Sequence, residues 1–242
     1  QGGRVSILGL GKLGAKELTY GSDLDIIFVY DGPDEGTTSG PRVISNAEYF
    51  IKLGQRIISI LTLRTKEGIV FNVDARLRPS GNAGVLVVSR SAFADYHRGS
   101  TQVWERQAFI KARMAAGDPS LGRDVVEELS MIVYSKPLTP GALAEMLRIR
   151  GRMEVEIAKE DPDRYNIKTG RGSIVDIEFL TQALQLSAGV DRRFRTQYTP
   201  KALKRLCSGG LISAEDYGFL KEAYSFYRLI EQRLRVVHDR PE

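Results

Sequence analysis

The feature that most constrains this chain is a Gly-Ser-Asp-Leu-Asp segment at residues 21–25 that leads directly into an apolar stretch. Residues 24–30 are rich in apolar, β-branched and aromatic side chains and are followed by Asp-Gly-Pro, which predicts a buried strand entered through a tight turn. Side chains two residues apart lie on the same face of a strand. We therefore expect Asp23 and Asp25 to project together from the start of this strand.

Two adjacent carboxylates repel each other unless a cation lies between them. Mg²⁺ suits that position, because it prefers hard oxygen ligands and commonly binds one or two carboxylates together with substrate phosphates. Gly21 allows the backbone to approach a phosphate, and Ser22 adds a hydroxyl donor beside it. The segment thus favours a nucleotidyl-transfer site, although an isolated Asp-x-Asp also occurs as a turn cap beside a surface charge.

A second predicted strand, at residues 68–79, carries a third acid. Asp74 is followed at intervals of two by Arg76 and Arg78, so all three side chains share one face if the strand continues that far. Three acids and two arginines on adjacent strands would form a site for a metal and a triphosphate. A purely structural role would require several buried ion pairs, which contribute little net stability.

The composition indicates an ordinary globular protein. The 242 residues are 42% hydrophobic and 27% charged with a net charge of +5, and Cys207 is the single cysteine. No secretory or membrane-spanning pattern is present in the sequence, so we expect a cytoplasmic location and no membrane partner. We also expect two domains, at residues 1–120 and 121–242, within a piece of a longer polypeptide that here begins at Gln1.

A competing fold follows from residues 9–14, which spell the Gly-x-Gly-x-x-Gly dinucleotide fingerprint after a predicted strand at residues 4–8. A Rossmann unit needs a crossover helix before its next strand, and residues 15–20 are few for that purpose. In the preferred interpretation Lys12 and the glycine amides instead line the phosphate side of a nucleotide pocket.

The remaining patterns predict helices around one small sheet and then helices alone. Residues 46–62 form an amphipathic helix capped by Ser45, residues 85–88 form a strand antiparallel to that of Asp74, and residues 104–115 form a helix. We expect Trp104 in the core and His97 at the surface. From residue 121 onward the periodicity is helical, which predicts a helical bundle. A loop at residues 165–173 resembles an anion-binding turn that leads into a helix N-terminus. Asp176 and Glu178 in the first turn of that helix either favour the helix macrodipole or aim the protein substrate or the phosphate ligands.

Several sequence motifs, taken together, resemble one known family. They are Gly-Leu-Gly-Lys-Leu-Gly at 9–14, Glu-Leu at 17–18, Gly-Ser-Asp-Leu-Asp at 21–25, Val-Asp-Ala-Arg-Leu-Arg-Pro-Ser-Gly at 73–81, Trp-Glu-Arg-Gln-Ala at 104–108 and Asp-Ile-Glu-Phe at 176–179. The Gly-Ser and Asp-x-Asp elements are similar to the polymerase beta-like nucleotidyltransferase superfamily. The full set, which spans most of the chain, resembles bacterial glutamine synthetase adenylyltransferase.

The resemblance implies an α+β fold, with a polymerase beta-like nucleotidyltransferase domain followed by an all-α helical bundle. It implies that two Mg²⁺ ions are held by Asp23, Asp25 and Asp74, and that ATP is the substrate. Lys111 is then expected to contact phosphate. The implied partners are glutamine synthetase, whose tyrosine receives AMP, and the PII signal protein, and we expect no nucleic acid to bind.

The family contains two paralogous domains, one that attaches AMP and one that removes it by phosphorolysis, and the direction of the reaction depends on which of them this chain resembles. Residues 74–81 and 106–108 look more like the C-terminal transferase domain, which we favour. A PII uridylyltransferase is less similar because its family lacks the Leu-Arg-Pro context of residues 77–79. A catalytically silent helical regulatory module that senses PII or glutamine is the alternative of a different class. The intact acid triad opposes it for the first half of the chain, whereas the second half is compatible with such a surface.

Overall fold

The computed structural model describes residues 3–33, 36–39 and 41–238. Gln1, on which the expectation of a longer polypeptide depends, lies outside these residues. By its internal contacts the chain divides into an N-terminal unit, Gln1–Ile132, and a C-terminal unit, Val133–Glu242. The predicted boundary at residue 120 falls in the first turn of the helix Pro119–Val133, whereas the division by contacts falls at the end of this helix.

The N-terminal unit has a mixed α/β structure. Its elements are β1 (Arg4–Gly9), α1 (Gly11–Ala15), β2 (Leu24–Asp31), α2 (Asn46–Leu61), β3 (Val73–Asp74), β4 (Val87–Ser89), α3 (Arg90–Ser100), α4 (Val103–Phe109), β5 (Arg113–Gly117) and α5 (Pro119–Val133). The strands form one small sheet in the order β3-β2-β1-β5, with β4 also paired to β2. The predictions of β1, β2 and α2 are confirmed, and Ser45 Oγ caps α2 by accepting from the Glu48 amide at 3.1 Å.

The glycine-rich segment at residues 9–14 does not belong to a Rossmann unit. β1 and β2 pair antiparallel, with Arg4 opposite Asp31 and Gly9 opposite Ile26. A dinucleotide-binding βαβ unit requires these two strands to be parallel and joined by a crossover helix. The α1 helix is a single short turn that reverses the chain, so the dinucleotide-binding alternative is wrong.

The strand carrying Asp74 is shorter than predicted, and its pairing differs. β3 ends at Asp74, and Arg76 and Arg78 lie in the turn that follows it. β3 and β4 do not form the predicted antiparallel pair, because each of them pairs parallel to β2, β3 beside its start and β4 beside its end. The chain therefore leaves the sheet after Asp74 and rejoins it on the same side of β2.

Strand β2 is the centre of the N-terminal core. Leu24, Ile26, Phe28 and Tyr30 alternate along one face and pack with Phe50 of α2, where the Tyr30 and Phe50 rings stack at a centroid distance of 4.8 Å. The intervening Ile27 and Val29 are also fully buried. Burial on both faces accounts for the nearly continuous apolar sequence of this strand.

Three predictions around α3 and α4 are wrong. The α4 helix ends at Phe109 rather than Ala115, and residues 113–117 form β5 against β1. Trp104 is 42% exposed, because α4 buries the face that carries Glu105 and Phe109 instead. His97, expected at the surface, is only 1% exposed and lies among aromatic rings, with centroid distances of 4.5 Å to Phe93 and 4.7 Å to Phe109.

The described part of the C-terminal unit is helical. It contains α6 (Pro140–Arg152), continued by a π-helical turn (Met153–Ala158), then α7 (Ile174–Ala188), a 3₁₀ turn (Arg192–Phe194), α8 (Thr199–Ser208) and α9 (Ala214–His238). Ile174, Ile177, Leu203 and Tyr224 form a core shared by α7, α8 and α9. Within the described ranges no helix has the length and apolarity needed to cross a bilayer.

Four backbone amides of the loop at residues 165–173 donate hydrogen bonds to the protein's own carboxylates. Glu160 accepts from the amides of Asn166 at 2.8 Å and Arg171 at 3.2 Å. Asp176 accepts from the amides of Gly172 at 2.7 Å and Ser173 at 3.2 Å, and so forms a capping box at the start of α7. Asp176 therefore has a structural role at the start of α7, and these amides are not open to a bound anion.

Candidate active site

Two of the predicted acids face each other across neighbouring strands. In the parallel pairing of β2 with β3, Asp25 lies opposite Asp74 and Leu24 lies opposite Val73. Asp25 is partly buried, whereas Asp23 precedes the first residue of β2 and is exposed. The pairing of β3 with the start of β2 therefore brings Asp74 beside Asp25, although the two residues are 49 positions apart in sequence.

The glycine-rich turn supports Asp25 from the other side. Gly11 has a φ of +48°, and a Cβ added to it would lie 2.0 Å from Asp25 Oδ2. The Leu10 amide also donates to the Asp25 carbonyl at 2.8 Å. Gly11 is thus required both for its backbone conformation and for the space that the carboxylate occupies. Lys12 follows it as the second residue of α1.

Asp74 is held by an arginine two residues further along the chain. Its Oδ1 accepts from the Arg76 amide at 2.9 Å and from Arg76 Nε at 3.0 Å, and its Oδ2 accepts from Arg76 Nη2 at 2.5 Å. The side-chain hydrogen bond from Arg76 lowers the pKa of Asp74 below its ordinary 3.8, against the opposing effect of burial. The carboxylate is therefore ionised at neutral pH.

All three acids act on the same guanidinium. The hydrogen bond and the charge of Asp74 raise the pKa of Arg76, and the charges of Asp25 and Asp23 raise it further. The structure thus brings the three predicted carboxylates into one electrostatic neighbourhood, centred on a cation that the protein itself supplies.

Asp23, Asp74 and Arg76, but not Asp25, line an open cavity of about 460 Å³ in the N-terminal unit. Its walls are formed by Asp23, Asn72, Val73, Asp74, Ala75, Arg76, Arg78 and Asn82. Arg78 stabilises the wall by donating through Nη1 to the Ala75 carbonyl at 2.6 Å and through Nε to the Gly84 carbonyl at 3.3 Å. Its guanidinium therefore fixes the turn that carries Arg76.

Two asparagines in this wall were missed by the sequence analysis. The carbonyl of Asn72 accepts from the Leu24 amide at 2.8 Å, and the residue immediately precedes β3. Asn82 lies in the 3₁₀ turn Gly81–Ala83. The available signal was the position of each asparagine, one beside a short strand that ends in an acid and the other in a glycine-rich turn.

The other predicted phosphate-binding residues lie in different settings. Gly21 has a φ of +63°, as a tight turn requires, and Ser22 is buried with its Oγ accepting from the Thr19 amide at 3.0 Å. Lys111 is only 7% exposed. Arg113, which follows it in β5, donates to the Leu13 carbonyl at 2.7 Å and so fastens α1 to the sheet.

The donor set suits a hard divalent cation, because it consists of carboxylate oxygens on adjacent strands. As the side chains stand, no group of three or more His, Cys, Asp or Glu within residues 3–33, 36–39 and 41–238 is arranged to hold a metal ion. At Asp74 both carboxylate oxygens accept hydrogen bonds from Arg76. The guanidinium of Arg76 thus occupies the position that a metal ion would take at Asp74. Metal binding by Asp74 requires the Arg76 side chain to move away.

The comparisons with known proteins define the class first. The glutamate-ammonia ligase adenylyltransferase family matches residues 1–128, which include β1 to β5 and the carboxylate cavity. The GlnD PII-uridylyltransferase family matches residues 147–242 in the C-terminal unit. Because the first match covers more than half of the chain, the chain belongs to the glutamate-ammonia ligase adenylyltransferase family, and the resemblance drawn from its motifs is confirmed.

Individual relatives agree with this assignment. The chain is 38% identical over 237 residues to a bifunctional glutamine synthetase adenylyltransferase/adenylyl-removing enzyme of Thioalkalivibrio sulfidiphilus strain HL-EbGR7. It is 39% identical over 237 residues to the enzyme of that name from Stenotrophomonas maltophilia strain K279a. Each alignment covers 98% of the chain but only 24% and 25% of these two relatives, so the chain spans about a quarter of their length.

Proposed function

We propose that the N-terminal unit is a polymerase beta-like nucleotidyltransferase domain that transfers AMP from ATP to a tyrosine of glutamine synthetase. The observation that carries this proposal is the placement of Asp25 opposite Asp74, with Asp23 and Asp74 lining one cavity. The names of the relatives support the choice of substrate, since each relative is described as a glutamine synthetase adenylyltransferase.

In this proposal Asp23, Asp25 and Asp74 hold Mg²⁺, with Arg76 displaced from Asp74. When bound, the ions would polarise the α-phosphate and neutralise the departing pyrophosphate. The tyrosine hydroxyl oxygen bonds to the α-phosphorus as the bond to pyrophosphate breaks, and the hydroxyl proton is lost. The protein's own part is to place the reactants in line, which is the larger share of catalysis in phosphoryl transfer.

The nucleotide is held by groups of three kinds. Gly21 and the turn at residues 9–14 present backbone, Lys12 and Arg76 supply charge, and Arg78 keeps the turn of Arg76 in place. Ser22 acts through the Thr19–Ser22 turn, which fixes the approach to Asp23. A phosphate contact by the buried Lys111 remains a prediction.

The direction of the reaction is proposed from residues 74–81 and 106–108, which resemble the transferase domain of the family more than the domain that removes AMP. The relatives carry both activities in their names, and the chain spans about a quarter of their length. Removal by phosphorolysis would use the same carboxylates, with inorganic phosphate as the attacking group. It is therefore the outcome that the experiment must distinguish.

The C-terminal unit is proposed to be a helical bundle that receives protein partners. Its helices α7, α8 and α9 share one core, which supports a bundle. The match of residues 147–242 to a PII-uridylyltransferase family supports PII as a partner, beside glutamine synthetase as the substrate. Location in the cytoplasm follows from these partners.

The test uses two parallel reactions with the chain and Mg²⁺. One contains α-labelled ATP and unmodified glutamine synthetase, and the other contains adenylylated glutamine synthetase and inorganic phosphate. We expect label on the synthetase tyrosine in the first reaction. Formation of ADP in the second reaction alone would assign the removing activity instead, and the absence of both products would contradict the proposed function for this chain.

A further inference from the structure

Asp74 and Arg76 form an ion pair, and their side chains differ in solvent exposure. The side chain of Asp74 is 21% exposed at the end of β3, whereas that of Arg76 is 70% exposed. The carboxylate is therefore part of the cavity wall, and the guanidinium that covers it stands mostly in solvent. Because the guanidinium of Arg76 is mostly in solvent, water can hydrate it when the two groups separate, which offsets part of the cost of breaking the contact.

Arg76 differs in this respect from Arg78, its neighbour in the same turn. The guanidinium of Arg78 donates to the Ala75 and Gly84 carbonyls and holds the backbone in place. Arg76 instead donates through Nε to Oδ1 and through Nη2 to Oδ2 of the Asp74 carboxylate, a geometry that a phosphate group also accepts. Its side chain can exchange one anion for another while the turn beneath it stays fixed.

We propose that Arg76 couples nucleotide binding to metal binding by exchanging Asp74 for a phosphate of the nucleotide. Before the nucleotide binds, the guanidinium occupies both oxygens of Asp74 and acts as a latch on the third metal ligand. When the triphosphate attracts the guanidinium, Asp74 becomes available to a divalent cation. Nucleotide and metal therefore bind cooperatively. This inference depends on the proposed function, because it takes the cavity to be the nucleotide site.

The latch also explains why Asp74 is compatible with the two other acids before any ligand is bound. Asp25 lies directly opposite it, and like charges in that position destabilise a strand pair. The negative charges of Asp74, Asp25 and Asp23 all raise the pKa of Arg76, and the positive charge of its guanidinium relieves the repulsion between them. On loading, the divalent cation would take over that role.

The first test measures Mn²⁺ affinity by electron paramagnetic resonance, with and without α,β-methylene-ATP. In Arg76→Gln the metal should bind about fivefold more tightly than in the unchanged chain when no nucleotide is present, because Asp74 is released. The increase in Mn²⁺ affinity on adding nucleotide should be correspondingly smaller in this variant. Arg98→Gln is the matched control, because Arg98 forms an exposed pair with Asp95 outside the cavity, and it should behave as the unchanged chain does.

The second test measures nucleotide affinity in the absence of metal by a double-mutant cycle. Asp74→Asn frees Arg76 and should strengthen nucleotide binding more than Asp23→Asn, which removes an equal charge. In the Arg76→Gln background this difference should disappear. Equal Mn²⁺ affinity in Arg76→Gln and the unchanged chain, or an undiminished Asp74→Asn effect in that background, would overturn the latch. Failure of every variant to bind nucleotide would contradict the proposed function itself.

Discussion

Asp25 and Asp74 occupy opposite positions on two parallel strands, and only Asp74 ends its strand. The pair therefore lies where the sheet gives way to the turn of Arg76. Replacing Asp74 should reduce activity with little loss of stability. Its charge lies in the cavity wall, and Arg76, with which it forms an ion pair, is mostly exposed.

We expect Asp74→Asn to reduce AMP transfer by roughly 100-fold or more, because a charged ligand of the proposed metal ions is lost. The free energy of unfolding should change by less than about 1 kcal/mol, as for an exposed ion pair. Steady-state rates and urea unfolding provide the two measurements. Asp95→Asn, at an exposed pair with Arg98, should leave both unchanged. Unchanged transfer in Asp74→Asn would exclude this carboxylate from the reaction.

Gly11→Ala tests the support behind Asp25. The new Cβ would meet Asp25 Oδ2 at 2.0 Å, and the positive φ of this position is unfavourable for alanine. We expect a loss of about 1–2 kcal/mol in the free energy of unfolding, together with a fall in activity as the carboxylate is displaced.

Gly99→Ala is the matched control for that variant. Gly99 lies in α3 with no atom within 4 Å of an added Cβ, so alanine should be neutral or stabilise the protein by up to about 1 kcal/mol. Equal effects of the two substitutions on urea unfolding and on activity would show that Gly11 does not hold Asp25 in position.

His97 should make the protein sensitive to acid. Burial lowers its pKa to about 4 from the ordinary 6.5. The unfolded chain therefore binds a proton more readily than the folded protein between these values. Stability that is fully present above pH 6.5 is lost as the pH falls towards 4, by up to about 3 kcal/mol.

His97→Phe should remove this part of the pH dependence. A phenyl ring suits a position surrounded by Phe93 and Phe109, and Nε2 of His97 has no hydrogen-bond partner among the described residues. The substitution removes one weak contact, that of Nδ1 with Thr101 Oγ1 at 3.4 Å. Urea unfolding of both proteins from pH 7.5 to 4.5 provides the comparison. If the free energy of unfolding depended on pH in the same way in both proteins, His97 would not be buried as a neutral side chain.

In the C-terminal unit, Asp176 should be important for stability. Burial alone would raise its pKa, but the hydrogen bond and charge of the buried Arg150 lower it overall, and Arg150 Nε donates to Asp176 Oδ1 at 2.6 Å. We expect Asp176→Ala to cost roughly 3 kcal/mol, because it leaves a buried guanidinium without its carboxylate. Glu145→Ala breaks an exposed pair with Arg148 and should leave the free energy of unfolding nearly unchanged. Circular dichroism during urea unfolding measures both, and similar values would contradict the importance of this pair.

The features predicted correctly from sequence are those that neighbouring residues determine. The apolar run of β2 and the helical period of α2 identified these two elements to within a few residues, and the helical period after residue 121 indicated the helices of the C-terminal unit. Their signals are local, because a single strand or helix carries its own period.

The predictions that were wrong concern features that depend on contacts between residues far apart in sequence. Whether β3 and β4 pair with each other or with β2 depends on the whole sheet, and the end of β3 at Asp74 moves Arg76 from a strand face into a turn. The contact between Arg76 and Asp74 was still predictable in part, since the two residues are close in sequence. The burial of His97 had a signal in the four-residue spacing from Phe93, which places both on one face of α3.

The central claim is that the three carboxylates carry out nucleotidyl transfer. The most direct measurement compares the transfer of label from α-labelled ATP to glutamine synthetase, with Mg²⁺, by the unchanged chain and by the Asp23→Asn/Asp25→Asn double variant. We predict label on the synthetase tyrosine with the unchanged chain and a loss of at least about 100-fold in the variant. Transfer by the double variant at the unchanged rate would contradict the assignment of these carboxylates to the reaction.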